Sequence, residues 1–260
     1  MALWDWVYQY GWYFFLYSFA GWVAEVIFAA FRHGRFVNRG FLCGPLCPIY
    51  GVGLVLVALL LEPLDDHWVQ LFLVAAALTT GIELVAGYLM EKLFHHRWWD
   101  YSAMPLNIGG YVCLPFSLLW GAACVLIEKC VHPLVVRFVA MIPHGLVVAL
   151  LAAWTALFVA DLTVTVLSIA RLNRRLAELD EARQRLRLVS DALGAQLAGG
   201  ALRVKGRLTL LERRLLAAFP NMRSLRHAEA FAALSAHQQR LRERWKALRT
   251  ERSKVRRSKR

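Results

Sequence analysis

Ahead of residue 170 the chain carries five apolar runs, near Tyr8–Phe31, Phe41–Leu61, Trp68–Leu93, Tyr111–Ile127 and Leu146–Ala170. They fix the solvent before anything else. At about 1.5 Å per helical residue, each is long enough to cross roughly 30 Å of hydrocarbon. No water satisfies a free N–H or C=O group there, so the runs are expected to become helices packed on one another. The first is too long for a signal-peptide core and lacks a basic leader, and is expected to be a retained span. The fold class that follows is all-α: a polytopic membrane bundle of five helices over residues 1–171, then a cytoplasmic helical tail over 172–260.

Charge supports this division. Of the 31 Lys and Arg only seven precede residue 170, beside ten of the 18 acids, while 58% of the whole chain is hydrophobic. Positive charge stays on the cytoplasmic side of a membrane. With the basic tail inside, alternation puts Arg32–Arg39 (three Arg, no acid) inside and Glu62–His67 (three acids, no Lys or Arg) outside. Lys92–Tyr101 then falls inside and Lys129–Pro143 outside, the last against the rule because it holds Lys129 and Arg137. The expected orientation is N-terminus out and C-terminus in.

Laying CGPLCPIYG (43–51) over CLPFSLLWG (113–121) matches a Cys, a Pro two later, an aromatic seven later and a Gly eight later. Each stretch follows a span with a glutamate inside it, Glu25 or Glu83, and a basic aromatic loop. Runs one and two thus resemble runs three and four, and both pairs run in the same direction, as in a parallel repeat about an axis along the membrane normal. Pro45, Pro48 and Pro115 lack a donor. Either they interrupt the backbone at membrane depth and line a polar cavity, or they sit in the first turn of ordinary helices, where an N–H is unsatisfied anyway. For Pro115 the helix start is the expectation; for Pro45 both readings stand.

Glu25, Glu83 and Asp161 fall inside spans, where a charge costs at least about 2.5 to 3.5 kcal/mol on insertion scales. Each shares a helix face with small or hydroxyl residues: Ser18 and Gly21; Thr79 or Thr80 and Gly87; Thr165 and Ser168. Three carboxylates toward the cytoplasmic half suggest one site that holds a cation, a proton or a cationic solute. The structural alternative is that each pairs locally, with Arg32 the candidate partner of Glu25. The site residues expected are Glu25, Glu83 and Asp161, with Asn38, Asn107 and Arg97 from the adjoining loops. In span five, Ala149, Ala152, Ala153, Ala156 and Ala160 are expected to form a close-packing face.

Several chemistries are excluded. Cys43 and Cys47 stand four apart with no further ligand to complete a tetrahedral set, so no metal or other cofactor is expected. The chain has no phosphate-binding GxxxxGK[ST], no HExxH and no GxSxG, and no nucleophile stands with a base. It is not expected to be an enzyme, and any ATP hydrolysis must come from a separate ATPase subunit.

In the tail Leu172, Leu176, Leu179, Leu186, Leu193 and Leu197 follow a coiled-coil spacing that ends at Gly199 and Gly200. Further helices are expected over residues 202–219 and 225–252. The terminal RSKVRRSKR suits an anionic leaflet. Nucleic-acid binding, the rival reading of a pI near 10.0, is not expected of a chain with a nearer polyanion.

The strings FLYSFAGWVAEVIF, FVNRGFLCGPLCPIYG, TTGIELVAGYLMEKLF, RWWDYSAMPLNIGGYVCLPFSLLWG and ERRLLAAFPNMRS resemble the bacterial family called putative ABC-transporter type IV, or CmpB-like permeases, over most of residues 11–171. The resemblance implies a multi-pass protein of the bacterial cytoplasmic (inner) membrane. It brings no substrate and no binding residues with it, and this tail is longer and more basic than the family pattern. The function expected is permease-like movement of an ion or small solute through a cytoplasm-facing polar site. The alternative is a non-transporting scaffold or sensor whose basic tail recruits cytoplasmic partners. The partners expected are the bilayer, with anionic lipids at the tail, a separate ATPase subunit and a second copy of the chain.

Overall fold

A computed structural model of the protein describes residues 3–34, 36–64, 67–189 and 208–240. Helix α1 runs Leu3–His33, α2 Pro48–Leu61, α3 Trp68–Phe94, α4 Leu114–Leu126, α5 His132–Met141 and α6 His144–Val189. A shorter helix, α7, covers Leu210–Ala218, and residues 228–240 are helical as well. The strands Asn107–Ile108 (β1) and Val112–Cys113 (β2) form a small antiparallel hairpin pairing Asn107 with Cys113 and Ile108 with Val112.

Four stretches are long and apolar enough to cross a membrane: 6–32, 68–94, 114–141 and 145–182. Their outward faces carry large apolar side chains such as Phe19, Ile27, Leu73, Val85, Leu119 and Leu157. A chain hydrophobic all round its helices needs a solvent that is hydrophobic too. The result is a mostly helical multi-pass membrane protein.

Two expectations need correction. The run Phe41–Leu61 is not helical throughout: the helix starts only at Pro48 and has 14 residues, extended by a single 3-10 turn over Glu62–Leu64. Pro48 occupies the first turn of α2, and Pro115 the first turn of α4, where the missing N–H removes no helical bond. Pro45 falls in the irregular stretch 36–47.

The expected outer loop Lys129–Pro143 is also mostly helix. Helix α4 passes through a π turn at Ile127–Val131 into α5, and the His132 N–H bonds to the Ile127 carbonyl. This wider register immediately precedes Pro133, which has no N–H to give. Lys129 then lies over the Trp68 ring at 5.8 Å rather than in a free loop.

The chain divides into two compact units, residues 1–169 with 210–222, and residues 170–209 with 223–260. In the first, one core gathers Tyr13, Tyr17, Leu54, Val57, Leu61, Leu71, Ala75 and Cys124. A second gathers Phe15, Leu42 and Leu46 with Phe14, Phe41, Leu151, Phe158 and Leu162. Helix α2 lies on α1 where Gly51 faces the Phe14 carbonyl and Ser18, and α4 lies on α3 where Gly121 faces the Phe72 carbonyl and Ala76. A Cβ at Gly51 would stand 2.5 Å from that Phe14 oxygen, so only glycine permits the approach.

In the second unit Leu172, Leu176 and Leu179 are buried, as are Ala230, Phe231 and Leu234. His227 Nδ1 lies 2.8 Å from an Asp180 carboxylate oxygen. Of the expected coiled-coil positions, Leu193 and Leu197 lie outside the described residues, as do Gly199, Gly200 and RSKVRRSKR. Of the tail helix expected over 202–219 the described part is α7, residues 202–207 lying outside the described residues; of the one expected over 225–252, residues 228–240 are helical and 241–252 lie outside them.

Candidate functional site

Residues 36–47 run without helical bonds between α1 and α2, so their polar groups need partners from elsewhere. Asp161 on α6 supplies two: the Cys43 and Gly44 N–H groups donate to its carboxylate at 2.9 and 2.7 Å. Asn38 accepts from the Gly40 N–H at 3.1 Å and from Trp22 Nε1 at 2.8 Å, while its own amide donates to the Cys43 carbonyl at 2.8 Å. The Cys47 N–H donates to the Ser18 carbonyl at 2.9 Å. Arg214 on α7 donates through Nη2 to the Gly40 and Phe41 carbonyls. The stretch is thus held open by side chains on three helices and by its own Asn38.

Beside it lies a cavity of about 360 Å³. Its walls carry the aromatic side chains Phe41, Tyr50, Trp98, Trp99, Tyr101 and Trp120, with Phe219 from beyond α7. Phe219 meets Trp98 edge-on at 4.8 Å, and Tyr50 meets Trp120 edge-on at 5.7 Å. Gly21 makes room for Tyr50, whose ring atoms lie 2.4 Å from where a Cβ would stand. That seat lets the Tyr50 hydroxyl reach one turn further along α1 to Glu25.

Two carboxylates line this cavity, Glu25 from α1 and Glu83 from α3. Glu25 is well provided for: the Tyr50 hydroxyl donates to Oε1 at 2.8 Å, and Arg39 Nε stands 3.3 Å from Oε2. The Arg39 guanidinium also lies over the Phe28 ring at 5.4 Å. Glu83 has less. Oε1 accepts from the Tyr101 hydroxyl at 3.3 Å, and Oε2 is buried with no hydrogen-bond partner among the described residues. Burial first, and then the charge of Glu83, raise the Tyr101 hydroxyl above the ordinary tyrosine range, so it stays a proton donor.

Of the residues singled out from sequence, Glu25 and Glu83 are therefore brought together and Asp161 is not. Its carboxylate is taken up by backbone N–H groups of the irregular stretch, and Thr165 adds a third contact at 3.4 Å. Asn38 braces the same stretch. Asn107 closes the hairpin turn, donating to the Met104 carbonyl at 2.9 Å and accepting from the Gly110 N–H at 3.1 Å. Arg97 donates to Glu91 at 2.9 Å and lies over the Tyr111 ring at 5.0 Å. These four shape the loops and do not line the cavity. Arg32 is exposed, and the partner of Glu25 is Arg39.

Tyr50 and Trp120 were visible in the sequence as the matched aromatics of the two aligned stretches, without a role. Arg214 and Phe219 stood in the sequence only inside the family-like string ERRLLAAFPNMRS, with no role attached, and nothing in the sequence signals a second polar cluster on α1 and α5. There the Tyr17 hydroxyl and His132 Nδ1 are 2.6 Å apart, Tyr13 packs edge-on to His132 at 5.0 Å, and Glu128 is buried in the adjoining π turn.

A family model described as putative ABC-transporter type IV matches residues 12–166. No curated protein and no solved structure matches the chain.

Proposed function

The chain belongs to the putative ABC-transporter type IV family, and from that premise we propose that it is a permease-like membrane component moving an ion or small solute through the Glu25–Glu83 cavity. One observation carries the reading. Two intramembrane carboxylates from different helices line one cavity, and one of them keeps a buried oxygen with no hydrogen-bond partner among the described residues. Such an arrangement is costly to keep in a membrane protein unless it is used. Asp161, Asn38, Asn107 and Arg97 serve the site indirectly, by holding the loops that border it.

The parallel repeat gives the cavity its logic. Glu25 and Glu83 occupy matched positions, and the contacts of the two aligned glycines match as well. Phe14 and Phe72 each precede their glutamate by eleven residues, Ser18 and Ala76 by seven. Residues related by a two-fold axis meet only near that axis, and the aligned Tyr50 and Trp120 are in ring contact. The cavity therefore sits where the halves face each other, which is where transporters of this design bind their cargo. In this reading α2, though only 14 residues long, completes a fifth crossing together with the irregular stretch before it. Arg32, Arg39, Lys92, Arg97 and the basic tail then share the cytoplasmic side, so the N-terminus is out, the C-terminus in and the membrane the bacterial inner one.

The chain catalyses nothing itself on this account and takes no cofactor. If ATP drives it, a separate ATPase subunit docks on Arg32–Arg39 and Lys92–Tyr101; the tail meets anionic lipid, not nucleic acid, and a second copy of the chain is a further partner.

Changing Glu83 to Gln abolishes solute or ion flux in reconstituted vesicles while leaving helix content by circular dichroism unchanged. Full flux in Glu83→Gln removes the carboxylate mechanism. The second reading, a scaffold whose tail recruits partners, is favoured by the buried apolar set and the Asp180–His227 contact of the second unit. A chain ended after Met222 keeps α7 and separates the two: a permease retains flux, whereas a scaffold loses its cellular phenotype.

A further inference from the structure

The lining of the cavity selects among cargoes, and on the permease reading it rests on, we infer that the ligand is a small organic cation: a quaternary ammonium or protonated amine carrying an apolar body. Charge decides first. Glu25 is matched by Arg39, so that pair adds no net charge, and Glu83 lines the cavity with no cationic partner among the described residues. Arg214 donates to the Gly40 and Phe41 carbonyls and is not among the lining residues. A ligand entering this space meets Glu83 with no cation paired to it among the described residues.

The walls decide next. Tyr50, Trp98, Trp99, Tyr101, Trp120 and Phe219 line the same cavity as the acid. Aromatic rings attract cations at their faces, most strongly where both are desolvated, and quaternary ammonium groups are recognised in this way. A hard inorganic ion is a poor fit. Calcium takes about six to eight oxygen ligands, and magnesium requires near-octahedral oxygen geometry. Among the described residues no group of three or more His, Cys, Asp or Glu could hold a metal. At about 360 Å³ the space lies at the low end of the roughly 300 to 1,000 Å³ of small-molecule sites, so the body is small.

The test is isothermal titration of the full chain in phosphatidylcholine nanodiscs with benzyltrimethylammonium, beside benzoate as an anion and benzyl alcohol as a neutral molecule of similar body. The cation is expected to bind saturably and more tightly than either. Glu83→Gln weakens it about tenfold or more, and Trp120→Leu weakens it several-fold. Glu83→Asp retains measurable binding, which separates loss of charge from loss of fold. Tighter binding of benzoate, or undiminished cation binding by Glu83→Gln, overturns the inference. If benzyl alcohol or benzoate binds in a Trp120-dependent manner while the cation does not, the cation assignment falls and the cavity remains the site. If no lining substitution alters flux in vesicles, the permease reading itself falls.

Discussion

Asp161 and Glu83 look alike in the sequence, single acids inside apolar runs, yet they have opposite fates. Asp161 accepts two backbone N–H bonds at 2.9 and 2.7 Å and so anchors a stretch of chain that has no helix to satisfy it. Glu83 keeps an oxygen with no hydrogen-bond partner among the described residues, beside a cavity. Sequence revealed that both acids are exceptional; it could not reveal which was occupied, because the occupants come from 118 positions away in the case of Cys43. The same reason puts Arg39 rather than Arg32 on Glu25: α1 ends at His33, and the returning chain brings Arg39 back to the helix. Replacing Asp161 with Ala leaves two part-buried donors, the Cys43 and Gly44 N–H groups, unsatisfied. The expected cost is about 1 to 3 kcal/mol, read as a lower thermal midpoint in detergent, together with faster maleimide labelling of Cys43. Unchanged stability in Asp161→Ala would show that the stretch is held by other means.

Helices were easier to foresee than their ends. The apolar runs announced α1, α3 and α6, and the proline at the start of α2 was a legible start signal that the length of the preceding run obscured. The π turn at Ile127–Val131 lies just ahead of Pro133; a proline in the sequence marks a missing N–H but does not say whether the helix ends there or widens and continues. The contact between α1 and α2 gives a sharp pair of expectations. A Cβ at Gly51 meets Ser18 Oγ at 2.2 Å and the Phe14 carbonyl oxygen at 2.5 Å, whereas one at Gly81 meets nothing within 4 Å. Gly51→Ala should destabilise by about 1 to 3 kcal/mol through overpacking. Gly81→Ala, on an open face of α3, should stabilise by about 0.5 to 1 kcal/mol through helix propensity. Thermal denaturation of the two variants side by side measures both signs, and equal effects would mean that α1 and α2 do not approach as described.

On the scale of the whole molecule, the apolar block and the basic tail were legible from composition, whereas the parallel repeat expected from four matches in nine aligned positions belongs to the proposal. The place of residues 210–222 was not. The string ERRLLAAFPNMRS marked residues 212–224 as family-like, but not that Arg214 donates to two carbonyls before α2 or that Phe219 lines the cavity. Both contacts are long-range, and no spacing within the string reports them. What the account requires of the molecule is that Glu25 and Glu83 share one hydrated space reached from the cytoplasmic side. The direct measurement replaces the native cysteines, introduces Glu25→Cys or Glu83→Cys, and follows reaction with a small charged methanethiosulfonate added to either face of sealed vesicles. Both positions are expected to react from the cytoplasmic face, and saturating benzyltrimethylammonium to slow the reaction at position 25. Reaction at neither position from that face, or only from the outer one, would contradict a shared cytoplasm-facing cavity.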